Sequence, residues 1–290
     1  MSDLKDNKLF KALKNKGTNL ESEMSFFDHL DALRGHLVRS AIAIIVITGF
    51  VFAYYDWIFA NIIMGPSNED FWTYRTMCNV GNALGRNFCF SKFNISLINT
   101  EMAGQFTLQI NSSLMIGLTL GVPYLLWEIW RFIKPALLEK ERKAAGGFVF
   151  YTSILFFIGV LFGYYVITPM SLHFLATYTV SSRIQNLFDI DSYISSVATL
   201  TIASGLVFEL PMLIYVLATV GIMTPKFMRE SRRYAIVIIL IIAAVVTPTP
   251  DMLTMTIVSI PLFILYEASI FVAAGVERSR NKKHDQLMAS

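Results

Sequence analysis

The sequence predicts an all-α integral membrane protein with six transmembrane helices, and three observations support this prediction. The 290-residue chain is 54% hydrophobic and only 16% charged, whereas about a quarter of the residues in soluble domains are charged. Six apolar runs alternate with polar connections, and five of the runs reach the roughly 20 residues that cross a bilayer core. Alternate connections hold 20 of the 24 Lys and Arg residues. By the positive-inside rule, this bias places both termini in the cytoplasm.

The chain divides into a basic cytoplasmic tail (1–25), a membrane domain (26–275) and a cytoplasmic C-terminal tail (276–290). Lysines recur about once per helical turn in the first tail, which is either a short helix on anionic lipid or a mobile solvated segment. Residues 26–36, which we call the lead-in segment, are predicted to form an amphipathic helix because their apolar residues recur at helical spacing.

Six runs are the predicted spans: residues 37–59, 102–126, 146–168, 193–220, 234–246 and 252–275. Pro169 is expected to close the third span. The fifth has thirteen residues, which is short for a bilayer. A connection of five residues, 247–251, joins it to the sixth span, so these two are predicted to form a tight hairpin.

The connection 60–101 contains both cysteines, Cys78 and Cys89. The predicted topology places it outside the cytoplasm, where disulfides persist, so a Cys78–Cys89 bridge is favoured over two free thiols.

Enzyme signatures are absent from the sequence. It has no H-E-x-x-H, no G-x-S-x-G, no glycine-rich phosphate loop and no metal-ligand spacing. The net charge of +3 is too small to indicate nucleic-acid binding. We therefore predict no enzyme, no cofactor and no metal site.

Glu209 and Glu267 are the acids expected within the spans, and Glu209 is the more unusual because Pro211 follows it closely. A carboxylate at membrane depth needs a partner or a wet cavity. Either Gln109 or Asn111 of the second span pairs with Glu209, or Glu209 recruits the transmembrane helix of another protein. Pro211 is expected to kink the helix.

The stretch 126–143 is expected to be a loop at the membrane surface that combines tryptophans, a proline, bases and acids. Its acids Glu139 and Glu141, together with Asp28 and Asp31 of the lead-in segment, have two interpretations. They either bind a cationic peptide or pair with neighbouring bases of the chain.

Several motifs together resemble the TatC family, the multi-spanning core subunit of the twin-arginine (Sec-independent) protein translocase. They are His29-Leu30-Asp31-Ala32-Leu33-Arg34, Trp130-Arg131-Phe132-Ile133-Lys134-Pro135-Ala136-Leu137 with Glu141-Arg142, Phe208-Glu209-Leu210-Pro211, Thr224-Pro225 and Thr247-Pro248-Thr249-Pro250-Asp251. The resemblance implies a concave, glove-like bundle in the bacterial cytoplasmic (inner) membrane. It also implies a receptor for twin-arginine signal peptides that exports folded proteins, driven by the protonmotive force.

The resemblance further implies TatA- and TatB-type single-span partners, contact with membrane lipid and a homo-oligomer within the complex. It places signal-peptide binding at Asp28, Asp31, Leu33, Arg34, Phe132, Pro135, Leu137, Glu141 and Arg142. It places partner docking or an intramembrane role at Glu209, Thr247, Asp251 and Met255, and an extracytoplasmic cap at Pro66.

Three positions depart from the family pattern. Ala32 stands where the family has a glutamate, so either Asp28 or Asp31 would supply that carboxylate. The hairpin tip has one extra residue, and Met255 replaces a glutamine found in many members. The alternative function is a secondary transporter that uses Glu209 as an ion or proton site, although no internal repeat typical of such transporters is evident.

Overall fold

The computed structural model of the chain describes residues 31, 33–83, 85, 95–133, 147–181, 183, 186–247 and 252–288. Five helical segments are long and apolar enough to cross a membrane: Leu33–Ala53, Gly104–Phe132, Phe148–Thr177, Ile190–Thr219 and Thr254–Arg278. Within the described residues, the only strands are two short ones that form a single pair. The predicted fold class, an all-α membrane protein, is confirmed.

The first long helix, α1 (Leu33–Ala53), includes the last four residues of the lead-in segment, 33–36. The chain then passes through α2 (Tyr55–Ile58), a π-helical turn (Phe59–Ile63) and a 3₁₀ turn (Gly65–Ser67). Helix α3 (Trp72–Ala83) follows. These short elements lie at the end of the bundle where α1 finishes.

Helix α4 (Gly104–Ile133) has 30 residues and is therefore about 45 Å long, longer than a bilayer core of about 30 Å. It includes residues 126–133, so the prediction that the whole stretch 126–143 is a loop is wrong for this part. No glycine or proline lies between Pro123 and Pro135. Trp130 also stacks on Phe148 of the next helix at 4.5 Å between ring centroids, which stabilises the extra turns.

The third span comprises α5 (Phe148–Phe162), a π-helical turn (Gly163–Ile167) and α6 (Thr168–Thr177). The expectation that Pro169 closes this span is wrong, because the helix continues for eight residues beyond it. Pro169 lies in the first turn of α6, where the missing N–H costs little.

The fourth span breaks at Glu209, between α7 (Ile190–Phe208) and α8 (Leu210–Val220). Pro211 lies in the first turn of α8, and the Glu209 N–H bonds to the Leu206 carbonyl at 3.1 Å instead of continuing the α-helical pattern. The helix is thus interrupted two residues before Pro211, where the kink was predicted. Gly221 ends α8 with a φ of 88°, a left-handed conformation that glycine adopts without strain.

Two more helices precede the C-terminus after the short α9 (Pro225–Glu230). Helix α10 (Arg232–Val246) has 15 residues, about 22 Å, and is not among the five segments long enough to span by themselves. Helix α11 (Met252–Met288) has 37 residues, about 55 Å. The two pack together through Ile239, Ala243, Val258 and Leu262.

Strand β1 (Leu97–Ile98) pairs in parallel with β2 (Phe188–Asp189). This pair joins the connection before α4 to the connection before α7. Thr100 donates a hydrogen bond to Asp189 at 2.8 Å, and the Asp191 N–H donates to Asp189 at 2.9 Å. These bonds hold the pKa of Asp189 below its usual value and cap the start of α7.

Candidate functional site

Three of the predicted peptide-binding residues lie at one end of the bundle. Leu33 and Arg34 are in the first turn of α1, and Phe132 is in the last turn of α4. Arg34 is exposed, while Leu33 and Phe132 are half-buried. Asp31, just before α1, is also exposed. Asp28, Pro135, Leu137, Glu141 and Arg142 lie outside the described residues.

A buried carboxylate joins α1 to α4 at this end. The Glu128 side chain is 1% exposed and lies one turn before Phe132 on α4. From α1, His36 donates to Glu128, and Arg39 donates to its two oxygens at 3.3 and 3.4 Å. From α4 itself, the Tyr124 hydroxyl donates at 3.0 Å and Arg131 forms an ion pair at 3.6 Å. We call these five side chains the Glu128 cluster.

The hydrogen bonds of His36 determine which of its nitrogens carries a proton. A carboxylate only accepts, so the Nδ1 that contacts Glu128 must carry the hydrogen. Arg39 Nη2 lies 3.0 Å from the same Nδ1, but that nitrogen then has no lone pair to accept from it. Arg39 therefore directs its hydrogen bonds to Glu128.

The cluster extends to residues predicted to bind the peptide. The His36 ring lies edge-on to the Phe132 ring, with centroids 6.1 Å apart. Arg131 is held on its other side by Trp127, with Cζ 4.8 Å from the ring centroid. Burying a carboxylate is unfavourable unless charged partners and hydrogen bonds compensate, and this site supplies both. The arrangement therefore ties α1 to α4 at this end.

Sequence reasoning missed Glu128 as a buried acid and proposed only Glu209 and Glu267 within the spans. Glu128 fell in a stretch interpreted as a solvated loop, where an acid needs no explanation. One signal was available, because Tyr124, Glu128 and Arg131 are spaced i, i+4 and i+7 on one helical face. Glu267, in contrast, is 26% exposed and pairs with Arg232 at 2.8 Å.

Glu209 lies at the break between α7 and α8, half-buried within the helical segment Ile190–Thr219. Neither carboxylate oxygen has a hydrogen-bond partner among the described residues. The interpretation that Gln109 or Asn111 pairs with it is therefore wrong for this structure. The second interpretation, recruitment of a helix from another protein, stays a prediction.

The predicted docking residues of the hairpin lie in or beside the packed α10–α11 interface. Thr247 is buried and donates to the Ala243 carbonyl at 2.8 Å. Met255 is half-buried against the apolar residues that α10 and α11 share with α7. Asp251 lies outside the described residues.

The opposite end of the bundle contains Pro66, the predicted cap residue. Pro66 is buried, and the Tyr74 hydroxyl lies 3.0 Å from both the Pro66 and the Pro169 carbonyl oxygens. Cys78 is disulfide-bonded in the structure. The pairing with Cys89 stays a prediction because Cys89 lies outside the described residues.

These features define a class: a multi-pass helical membrane protein in which a buried ion cluster organises one end of the bundle. The sequence model of the family "Sec-independent protein translocase protein (TatC)" matches residues 28–261. The chain belongs to this family. The family consists of translocase components and not of enzymes, so the prediction that the chain is not an enzyme is confirmed.

Relatives and solved structures agree with this assignment. A TatC protein of Blattabacterium sp. subsp. Periplaneta americana is 36% identical over 265 residues, which cover 90% of this chain and 99% of the relative. A TatC protein of Deinococcus radiodurans is 33% identical and covers 85% of this chain and 84% of its own length. Two crystal structures of the twin-arginine translocase receptor TatC, one of them in DDM, superpose with TM-scores of 0.62 and 0.64. They are 30% and 31% identical and cover 86% and 84% of this chain and 99% of each structure.

Proposed function

We propose that this protein is the twin-arginine signal-peptide receptor and the core subunit of a translocase that exports folded proteins. One observation supports this proposal most directly. The two halves of the predicted receptor site, Leu33 and Arg34 on α1 and Phe132 on α4, occupy the same end of the bundle. His36 bridges them, because it contacts the Phe132 ring and hydrogen-bonds to Glu128.

The proposed topology has six spans, with both termini on the cytoplasmic side of the inner membrane. The asymmetric distribution of Lys and Arg supports this orientation. Helix α10 would be the fifth span. Its length of about 22 Å requires local thinning of the bilayer or a hairpin tip below the outer surface.

Recognition in this proposal is electrostatic. The guanidinium groups of the signal peptide would form charge-assisted, bidentate hydrogen bonds to Glu141, with Asp28 or Asp31 as the second acid. Pro135, Leu137 and Arg142 would shape the surface around Glu141. Lysine has a single ammonium and cannot form the same planar pair, which explains a preference for paired arginines.

TatA- and TatB-type single-span proteins are the proposed partners, and the protonmotive force is the proposed energy source. An apolar face of α10 is available for a partner helix or for lipid, since its side chains are more than one-third exposed. They are Ile236, Val237, Ile238, Leu240, Ile241 and Val245. Glu209, Thr247, Asp251 and Met255 are the proposed polar and adaptable contacts near this region, and a homo-oligomer completes the complex.

A peptide-binding measurement tests the receptor proposal. Glu141→Ala should weaken binding of a twin-arginine peptide by about 10- to 100-fold, since a hydrogen bond to a charged group contributes about 1.5–3 kcal/mol. A twin-lysine peptide should lose much less. Glu139→Ala, two residues away, is the matched control and should bind as the wild type does. Equal losses for both peptides, or for both variants, would indicate a general charge effect and contradict the proposal.

A further inference from the structure

Glu128 joins the two halves of the proposed receptor site, yet it is too buried to be a peptide-binding residue itself. At 1% exposure, its carboxylate cannot contact a peptide unless the bundle opens. Its α1 partners, His36 and Arg39, are 92 and 89 positions away in the sequence. The Glu128 cluster is therefore a tertiary contact between two spans and not a local feature of one helix.

We propose that Glu128 is a positioning residue of the receptor site, which sets the spacing between Leu33 and Arg34 on α1 and Phe132 on α4. The inference rests on the proposed function. On α1, His36 lies one helical turn after Leu33, and on α4, Phe132 lies one turn after Glu128. Helical turns are rigid on this scale, so a shift of the Glu128 contact moves both halves of the site relative to each other.

The Glu128 cluster also pairs two cationic side chains of the protein with a carboxylate. Arg39 and Arg131 are each 48% exposed, and both direct a guanidinium nitrogen at the Glu128 carboxylate. If Glu128 carried no charge, these guanidinium groups would lose this carboxylate and be free to pair with other acids of the surface. They would then compete with the arginines of an incoming peptide for the same carboxylates. Glu128 thus offsets positive charge of Arg39 and Arg131 as well as setting the spacing.

Glu128→Gln is the primary variant, because it keeps the shape of the side chain and removes only the charge. Glu267→Gln is the matched control, since Glu267 forms the other described ion pair between helices, with Arg232 at 2.8 Å. Two measurements on the full-length protein in proteoliposomes apply to both variants. The first is the affinity for fluorescent twin-arginine and twin-lysine peptides. The second is the distance distribution between spin labels at positions 37 and 129, where Leu37 and Ile129 are exposed.

Glu128→Gln is expected to weaken twin-arginine binding about tenfold, to reduce the arginine-over-lysine preference and to broaden the distance distribution. Glu267→Gln should change none of these. Arg39→Gln combined with Glu128→Gln should recover part of the lost affinity, because only the Arg131 guanidinium then lacks its Glu128 partner, instead of two guanidinium groups. If Glu128→Gln fails to reach the membrane, the same two measurements are made on Arg39→Gln alone, because the Arg39 side chain is half-exposed and its replacement should be tolerated. This variant should also weaken twin-arginine binding and broaden the distance distribution.

The outcomes separate this inference from the proposed function. If Glu141→Ala abolishes the arginine preference while Glu128→Gln binds as the wild type does, the positioning role is refuted and the receptor proposal stands. If Glu128→Gln and Glu267→Gln lose affinity equally, Glu128 is an ordinary structural ion pair and the inference fails. If neither Glu141→Ala nor Glu128→Gln alters binding, the receptor proposal itself fails.

Discussion

The packing of α1 on α4 depends on Gly117, and replacing it with alanine should separate the two helices. A Cβ at Gly117 would lie 2.9 Å from the Thr48 Cα and 3.0 Å from its Cβ. Ordinary contacts begin at 3.4 Å, so α1 would have to move by about 0.5 Å. The nearest atom is the Thr48 Oγ1, which can rotate away, whereas the Thr48 Cα belongs to the backbone and cannot.

The magnitude follows from two opposing effects. Overpacking a tight interface costs about 1–3 kcal/mol, while Gly→Ala within a helix gains about 1 kcal/mol. We therefore expect Gly117→Ala to lower the free energy of unfolding by up to about 2 kcal/mol. Gly49→Ala is the matched control, because Gly49 is next to Thr48 and its Cβ would meet nothing within 4 Å. This variant should be stabilised by about 0.5–1 kcal/mol.

Reversible SDS titration in mixed micelles measures the free energy of unfolding for both variants. The two values should differ by about 1–3 kcal/mol, with Gly117→Ala the less stable. The spin-label distance between positions 37 and 129 should also lengthen in Gly117→Ala alone. If both alanine variants were equally stabilised, the close approach of α1 and α4 at Gly117 would be refuted.

Three further predictions concern the rest of the bundle. Tyr74→Phe should destabilise the cap by about 1–3 kcal/mol, because the two buried carbonyl oxygens that share its single hydroxyl hydrogen lose this donor. Thermal unfolding checks this, and an unchanged midpoint would argue against the hydrogen bond. Because the pKa of Asp189 is lowered, its ionised carboxylate stabilises the fold fully above the usual pKa of an aspartate. This stabilisation is lost as the pH falls through the lowered pKa. Asp189→Asn should therefore show a shallower loss of thermal stability in the acidic range than the wild type, and identical pH profiles would contradict this. Glu209→Ala should leave peptide binding intact but reduce cross-linking to a partner helix, and unchanged cross-linking and export would exclude a docking role for Glu209.

Much of the fold could be predicted because hydropathy and charge act over one segment at a time. An apolar run of about 20 residues must satisfy its backbone within a helix wherever its neighbours lie. The interruption of the helix near Pro211 was predictable for the same reason, since the missing N–H belongs to that residue alone. The predicted ends of the helices were less accurate. Helix α4 extends to Ile133 and not to residue 126, because Trp130 stacks on Phe148 of a different helix.

The candidate site was likewise predictable only in part. The motifs around Leu33, Phe132 and Glu141 indicated the family without any structure, because their order and spacing are properties of the sequence. The role of Glu128 could not be predicted, since its partners His36 and Arg39 are about 90 positions away. The same holds for Glu209, whose lack of a partner among the described residues depends on which helices pack beside it.

The sequence by itself determined the class of the protein, the approximate spans, the proposed orientation and the family. All of these depend on the composition and order of single segments. Only the tertiary structure decided that a buried carboxylate joins α1 to α4 and that Gly117 permits their close approach. The physical reason is that burial and charge pairing depend on which segments meet across the bundle, and neighbouring positions in the sequence do not specify that.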